Sequence, residues 1–274
     1  MDTKEAIKSA MRDAAGVACD ILMSHFGKLD SVQHKGEVDI VTVADKESEK
    51  AVMDIIRSRF PDHGILAEES GDAASGNPAH EAEYCWVIDP LDGTLNFAHS
   101  VPIFSVSIGL FHQGRAHMGL VADPTRNEWF WAERGQGAWL GKGKDDPGQQ
   151  IHVSSSEKMA DSYIITGFPH NRRQILEPLM RTAGDMIQNT HGILRLGSAA
   201  IDLCWVAAGR ADAFYEPHLQ AWDFAAGSLM VEEAGGRCTN FSDQPLSLTD
   251  HEVLATNSTI HEEMRQLIAR EWLS

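Results

Sequence analysis

An apolar run, Trp86-Val87-Ile88, passes without a break into Asp89-Pro90-Leu91-Asp92-Gly93-Thr94. The apolar part reads as a buried strand, so any fold of this chain must bring two carboxylates to the C-terminal edge of an interior sheet. Pro90 fixes the turn between them, and Gly93 permits close backbone approach. Hard divalent cations favour carboxylate, carbonyl and water oxygens, and an Asp-Pro-x-Asp turn can aim both carboxylates and the Leu91 carbonyl at one point. A helical turn starting at Thr94 would turn its free amides toward the same point, where a phosphate would sit. The same residues also suit a plain surface turn, since Asp, Pro and Gly all form turns.

Three further acidic segments bear on that choice. Glu68 and Glu69 follow the strand-like Gly64-Ile65-Leu66-Ala67, placing a carboxylate at a second strand end, although a lone Glu-Glu pair more plainly suits an exposed acidic loop. Asp223, in Ala221-Trp222-Asp223-Phe224-Ala225-Ala226-Gly227, opens a helix and can serve as its cap or as a ligand. Asp45 closes Asp39-Ile40-Val41-Thr42-Val43-Ala44-Asp45, where capping the next helix is again the plainer role. None of the 13 histidines forms an HExxH motif or a Cys/His cluster, so zinc is disfavoured, and His99 alone lies near the acidic segment.

The formal charge of -17 disfavours nucleic-acid binding, which relies on Lys and Arg, and a phosphorylated substrate could approach only if cations reversed the local potential. The first 27 residues carry scattered charges and no apolar run long enough for a signal peptide or a membrane span, so a cytoplasmic protein without membrane association is expected. Cys19, Cys85, Cys204 and Cys238 lie far apart without a CxxC pair and read as reduced thiols.

Apolar periodicity predicts a helix over 4–26, a hairpin over 31–43 broken by Gly36, a helix over 44–59 stopped by Pro61, and strands at 64–67 and 85–88. Strands at 103–111, 116–122 and 128–131 read as an antiparallel meander, with the Trp129-Phe130-Trp131 group a core or subunit-interface feature. The stretch 141–148 is linker-like, which divides the chain into lobes 1–145 and 146–274. In the second lobe, strands at 163–166, 193–195 and 213–215 alternate with helices near 172–189, 198–208 and 222–234, an α/β arrangement closed by a helix over 258–272.

Taken together, VDIVTVAD, EES, DPLDGTLNF, RLGSAA and WDFAAG resemble the inositol monophosphatase family, within the lithium-sensitive, magnesium-dependent phosphatase superfamily. The resemblance covers most of the chain and implies a layered αβαβα sandwich of the inositol monophosphatase and fructose-1,6-bisphosphatase type. It implies two magnesium ions, one on Glu68, Asp89 and the Leu91 carbonyl and one on Asp89, Asp92 and Asp223, with a third, weaker ion near Glu68. It further implies Thr94 as the group orienting a water nucleophile, with Asp45 as its partner and Glu68 in the catalytic set. Gly93 and Thr94 amides would hold phosphate oxygens, while Gly197, Ser198, Ala199, Glu216 and Asp223 would meet the substrate. Glu216 suits a polyol and would repel a second phosphate. Pro217-His218-Leu219-Gln220 departs from the animal enzymes, which carry a histidine at the place of Gln220. The expectation is an inositol-phosphate phosphatase, commonly homodimeric. Histidinol-phosphatase, fructose-1,6-bisphosphatase and 3'-phosphoadenosine phosphatase are its alternatives within the superfamily, and a non-catalytic magnesium-binding regulator is the alternative outside it.

Overall fold

The computed structural model describes residues 4–28, 33–34, 40–72 and 82–273. Helix α1 (Lys4–His25) buries Ile7, Ala10, Met11, Ala14, Ala18 and Leu22 along one stripe, and Gly27 follows it in the left-handed region at φ 73°. Strands β1 (Gln33–His34) and β2 (Ile40–Val41) pair antiparallel, whereas the expected hairpin's turn, with Gly36 and Asp39, lies outside the described residues. Helix α2 (Val43–Arg59) opens with a capping box: Thr42 Oγ1 accepts from the Ala44 amide at 3.2 Å and Asp45 Oδ2 accepts from the Thr42 amide at 2.8 Å.

Next come β3 (Gly64–Ala67), β4 (Gly71–Asp72), β5 (Tyr84–Asp92), α3 (Thr94–Ala98), β6 (Ser105–His112), β7 (Arg115–Asp123), β8 (Glu128–Glu133), β9 (Gly137–Lys142) and β10 (Gln149–Ile151). These eight strands form one sheet in the order β10-β9-β8-β7-β6-β5-β3-β4, in which β3 and β5 run parallel and the remaining neighbours antiparallel. The linker-like stretch 141–148 therefore begins inside β9, and β10 returns to the first sheet beyond residue 145. Trp129 and Phe130 are buried, and Trp131 stacks on Trp139 with centroids 5.3 Å apart.

The second half supplies β11 (Tyr163–Thr166), α4 (Leu176–Asn189), β12 (Gly192–Leu194), α5 (Ala199–Ala207), β13 (Ala213–Pro217), α6 (Ala221–Glu233), β14 (Arg237–Thr239), β15 (Glu252–Thr256) and α7 (His261–Trp272). Its sheet runs β12-β11-β13-β15-β14, and β14 and β15 lie outside the strands expected from sequence. Helices α1 and α2 cover one face of the first sheet, α5 and α6 fill the space between the two sheets, and α4 and α7 cover the far face of the second. The layers are thus αβαβα, and the α/β fold class expected from sequence holds.

Gly109 and Gly119 face each other in register on β6 and β7. A Cβ at Gly119 would stand 3.0 Å from the Ala226 carbonyl oxygen and 3.1 Å from its Cα, so the bare patch is what lets α6 lie directly on the sheet. That contact carries the start of α6 to the end of β5, where the site forms.

Candidate active site

Strand β5 does not stop at Ile88 in a turn, as the sequence suggested. Asp89 pairs with Ser107 and Asp92 with Ser105, so three steps on β5 oppose two on β6 and the chain passes through the acidic pair as a bulge. Pro90 has no N–H to give the ladder, which favours disruption there. The bulge is pinned by Ser48 Oγ donating to the Pro90 carbonyl at 3.2 Å and by the Leu91 amide donating to Asp89 Oδ1 at 3.0 Å. Both aspartates are thereby buried at the sheet edge, 2% and 7% exposed.

Asp223 arrives from α6, where its Oδ2 accepts from the Gln220 amide at 2.7 Å as part of a capping box. Oxygens of Asp89, Asp92 and Asp223 lie within 4.8 Å of one another. Burial raises the pKa of all three; beyond burial, the charge of Glu68 acts most on Asp89 and that of Asp92 most on Asp223. Asp92 rises to only about 6, because Ser198 Oγ and the Ala200 amide donate to its Oδ2 at 2.6 and 2.7 Å. Glu68 lines the same cleft, although its oxygens are not grouped with the trio. An all-oxygen set that is costly to ionise alone, with no basic side chain hydrogen-bonded to the trio among the described residues, fits a hard divalent cation such as magnesium.

Thr94 begins the short helix α3 after Gly93, which sits in the left-handed region at φ 98°. The Thr94 hydroxyl lies 3.1 Å from both Asp45 Oδ1 and the Leu91 carbonyl, and its single proton is shared between them. Asp45 is fully buried and its pKa is raised by burial, against the lowering effect of its bonds to Thr42. Its carboxylate is divided: Oδ2 caps α2 and Oδ1 meets Thr94. The Asn96 amide ties this segment to the second half by donating to the Ile103 and Leu196 carbonyls, both at 2.8 Å. His99 is an exposed C-cap of α3 and does not line the cleft.

Gly93, Thr94, Gly197, Ser198, Ala199, Glu216 and Asp223 all line this cleft. Glu216, at the end of β13, is 8% exposed, and burial pushes its carboxyl to about 8 although the Arg195 charge opposes the rise. Sequence reasoning passed over Gly167 and Arg172 as lining residues, and gave Arg195, which opens the RLGSAA segment, no role of its own. It also passed over Asp202, fully buried in α5 with neither carboxylate oxygen hydrogen-bonded, whose pKa burial drives well upward. The signal for Asp202 was available: it is the one charge in the otherwise apolar helix Ala199–Ala207.

All four cysteines are buried and free, as expected. Among the described residues no helix is long and apolar enough to cross a membrane.

Comparison with known proteins bears on the same site. The family model described as "Inositol monophosphatase family" matches residues 2–273. The inositol-1-monophosphatase of Synechocystis is 42% identical over 250 residues, covering 90% of this chain and 83% of that protein. A Pasteurella multocida protein named Nus factor SuhB is 39% identical over 253 residues, covering 92% of this chain and 91% of its own. Among solved structures, inositol monophosphatase from Anabaena superposes with a TM-score of 0.84 at 36% identity, covering 97% of this chain and 96% of that one.

Proposed function

The chain belongs to the inositol monophosphatase family and is a phosphatase, and we propose that it hydrolyses a phosphate monoester of a small polyol such as inositol monophosphate. The observation that carries this reading is the clustered Asp89, Asp92 and Asp223 trio, with Glu68 and Glu216 lining the same cleft. A polyol presents several hydroxyls, and a buried carboxylate accepts hydrogen bonds from them.

Two or three magnesium ions held by Glu68, Asp89, the Leu91 carbonyl, Asp92 and Asp223 would supply positive charge to the transferred phosphoryl group and acidity to the attacking water. Thr94, in contact with Asp45, orients that water through its hydroxyl oxygen. The Gly93 and Thr94 amides, at the start of α3, hold phosphate oxygens. Ser198 and the Ala200 amide keep Asp92 aimed into the cleft. No protein nucleophile is needed, so no phosphoenzyme forms.

We also propose two lobes, 1–145 and 146–274, that meet at the site, the second lending its first strand, β10, to the edge of the first lobe's sheet: Glu68, Asp89 and Asp92 come from the first, Glu216 and Asp223 from the second. Homodimerisation is supported by the exposed Leu176, Met180 and Ile187 along α4, which are 57%, 56% and 60% accessible. The formal charge of -17 supports an enzyme that does not itself bind nucleic acid, and we propose a cytoplasmic location for it.

Phosphate release from inositol 1-phosphate, fructose 1,6-bisphosphate, histidinol phosphate and 3'-phosphoadenosine 5'-phosphate, each with magnesium and with chelator, tests the reading. Magnesium-dependent preference for inositol 1-phosphate is expected. Preference for another ester would overturn the polyol assignment, and release from none would favour a regulatory role.

A further inference from the structure

Two glycines beside the cleft leave room for two charged side chains. A Cβ at Gly167 would stand 1.8 Å from Glu216 Oε2 and 2.2 Å from Oε1, so the carboxylate occupies the volume a side chain at 167 would fill. A Cβ at Gly197 would stand 2.5 Å from Arg195 Nη1, and Gly197 is already in the left-handed region at φ 91°. Arg195 and Glu216 both line the cleft, and the Arg195 charge acts on Glu216 without a hydrogen bond joining them among the described residues. One is an acceptor and the other a fork of donors, so together they match two neighbouring hydroxyls.

We propose that Gly167 is a positioning residue that seats the Glu216 carboxylate, and that Arg195 is the second half of a diol-reading pair, donating to one substrate hydroxyl while Glu216 accepts from its neighbour. This rests on the reading of Glu216 as a polyol-binding residue. It accounts for glycine at 167, where the obstacle to a side chain is the end of the Glu216 side chain rather than backbone. An alanine there meets a group that can swing away, so the fold survives while the carboxylate is displaced.

The test is a double-mutant cycle at saturating magnesium, reading the ratio of kcat/KM for inositol 1-phosphate to kcat/KM for 4-nitrophenyl phosphate, which has no hydroxyls. Gly167→Ala is expected to lower that ratio about tenfold, chiefly through KM, and to lower it no further in a Glu216→Ala background. Arg195→Met should lower it by about the same factor. Circular dichroism and a thermal midpoint for each variant exclude unfolding as the cause. Additive effects of Gly167→Ala and Glu216→Ala, or an unchanged ratio in Arg195→Met, would overturn the inference while leaving the polyol reading intact. A Glu216→Ala enzyme with an unchanged ratio would overturn both.

Discussion

Replacing Gly119 with alanine puts the seating of α6 to the test. The new Cβ would lie 3.0 Å from the Ala226 carbonyl oxygen, 3.1 Å from its Cα and 3.4 Å from its Cβ. Ordinary carbon contacts begin nearer 3.5 Å, so helix and sheet must part by a few tenths of an ångström, and backbone on both sides resists. Overpacking of this kind costs about 1–3 kcal/mol. At about 2 kcal/mol, a chain of this size should lose about 4–8 °C in its thermal midpoint. The same displacement carries Asp223 away from Asp89 and Asp92, so magnesium affinity should fall as well. Gly184→Ala is the control: nothing lies within 4 Å of a Cβ there, and alanine within α4 should add about 0.5–1 kcal/mol. Differential scanning calorimetry and magnesium titration calorimetry on both variants give the answer. A Gly119→Ala protein melting within about 1 °C of the parent would refute the close-contact argument.

Thr94→Ala should cut kcat about a hundredfold with little loss of magnesium binding, whereas Thr94→Ser should keep most of it; equal losses would remove the hydroxyl from the mechanism. Ser198→Ala deletes one charge-assisted bond to Asp92 and should lift its carboxyl further above the ordinary aspartate value. Proton competition then weakens magnesium binding more at neutral pH than at pH 9, and a loss independent of pH would contradict it. Glu216 titrates at about 8 in the folded protein against an ordinary 4.5, so between those values the folded state holds the extra proton and stability falls as pH rises. Glu216→Gln without cations should therefore lose less thermal stability between about pH 5 and pH 9 than the parent. Magnesium at a hundred times its Kd should raise the midpoint by about 5–10 °C, reversibly with chelator; no shift would mean that the acidic cluster does not hold the ion.

Whatever depended on local pattern was legible in the sequence. The stripe in α1, strand β3 and the step from an apolar run into Asp89 and Asp92 each follow from a few consecutive residues. The bulge was not, because whether Asp-Pro-Leu-Asp turns away or stays in the sheet is decided by Ser105 and Ser107 on the neighbouring strand. Strand β14 is only three residues long and is defined by its pairing with β15. A glycine inside a strand ordinarily weakens it, and the purpose of the facing Gly109 and Gly119 appears only once α6 lies across both. Arg195 and Asp202 fall in segments that read plainly as a strand end and a buried helix, and their closeness to Glu216 comes from tertiary contact.

Asp45 and Asp223 share a division of labour whose consequence reaches beyond the reaction. Each is the third residue of its helix and closes a capping box, while the same carboxylate also serves the site, that of Asp45 through the Thr94 hydroxyl and that of Asp223 in the acidic trio. A carboxylate can do both because it has two acceptor oxygens; asparagine has one, and would either release the helix end or turn a donor toward Thr94 at position 45 and toward the acidic trio at position 223. Neither position can be tuned for helix stability and for chemistry separately, so any substitution there is read twice. Amide exchange at the first turns of α2 and α6 should then report on occupancy of the site, and the fraying of two helix ends becomes a measure of how much cation the enzyme holds.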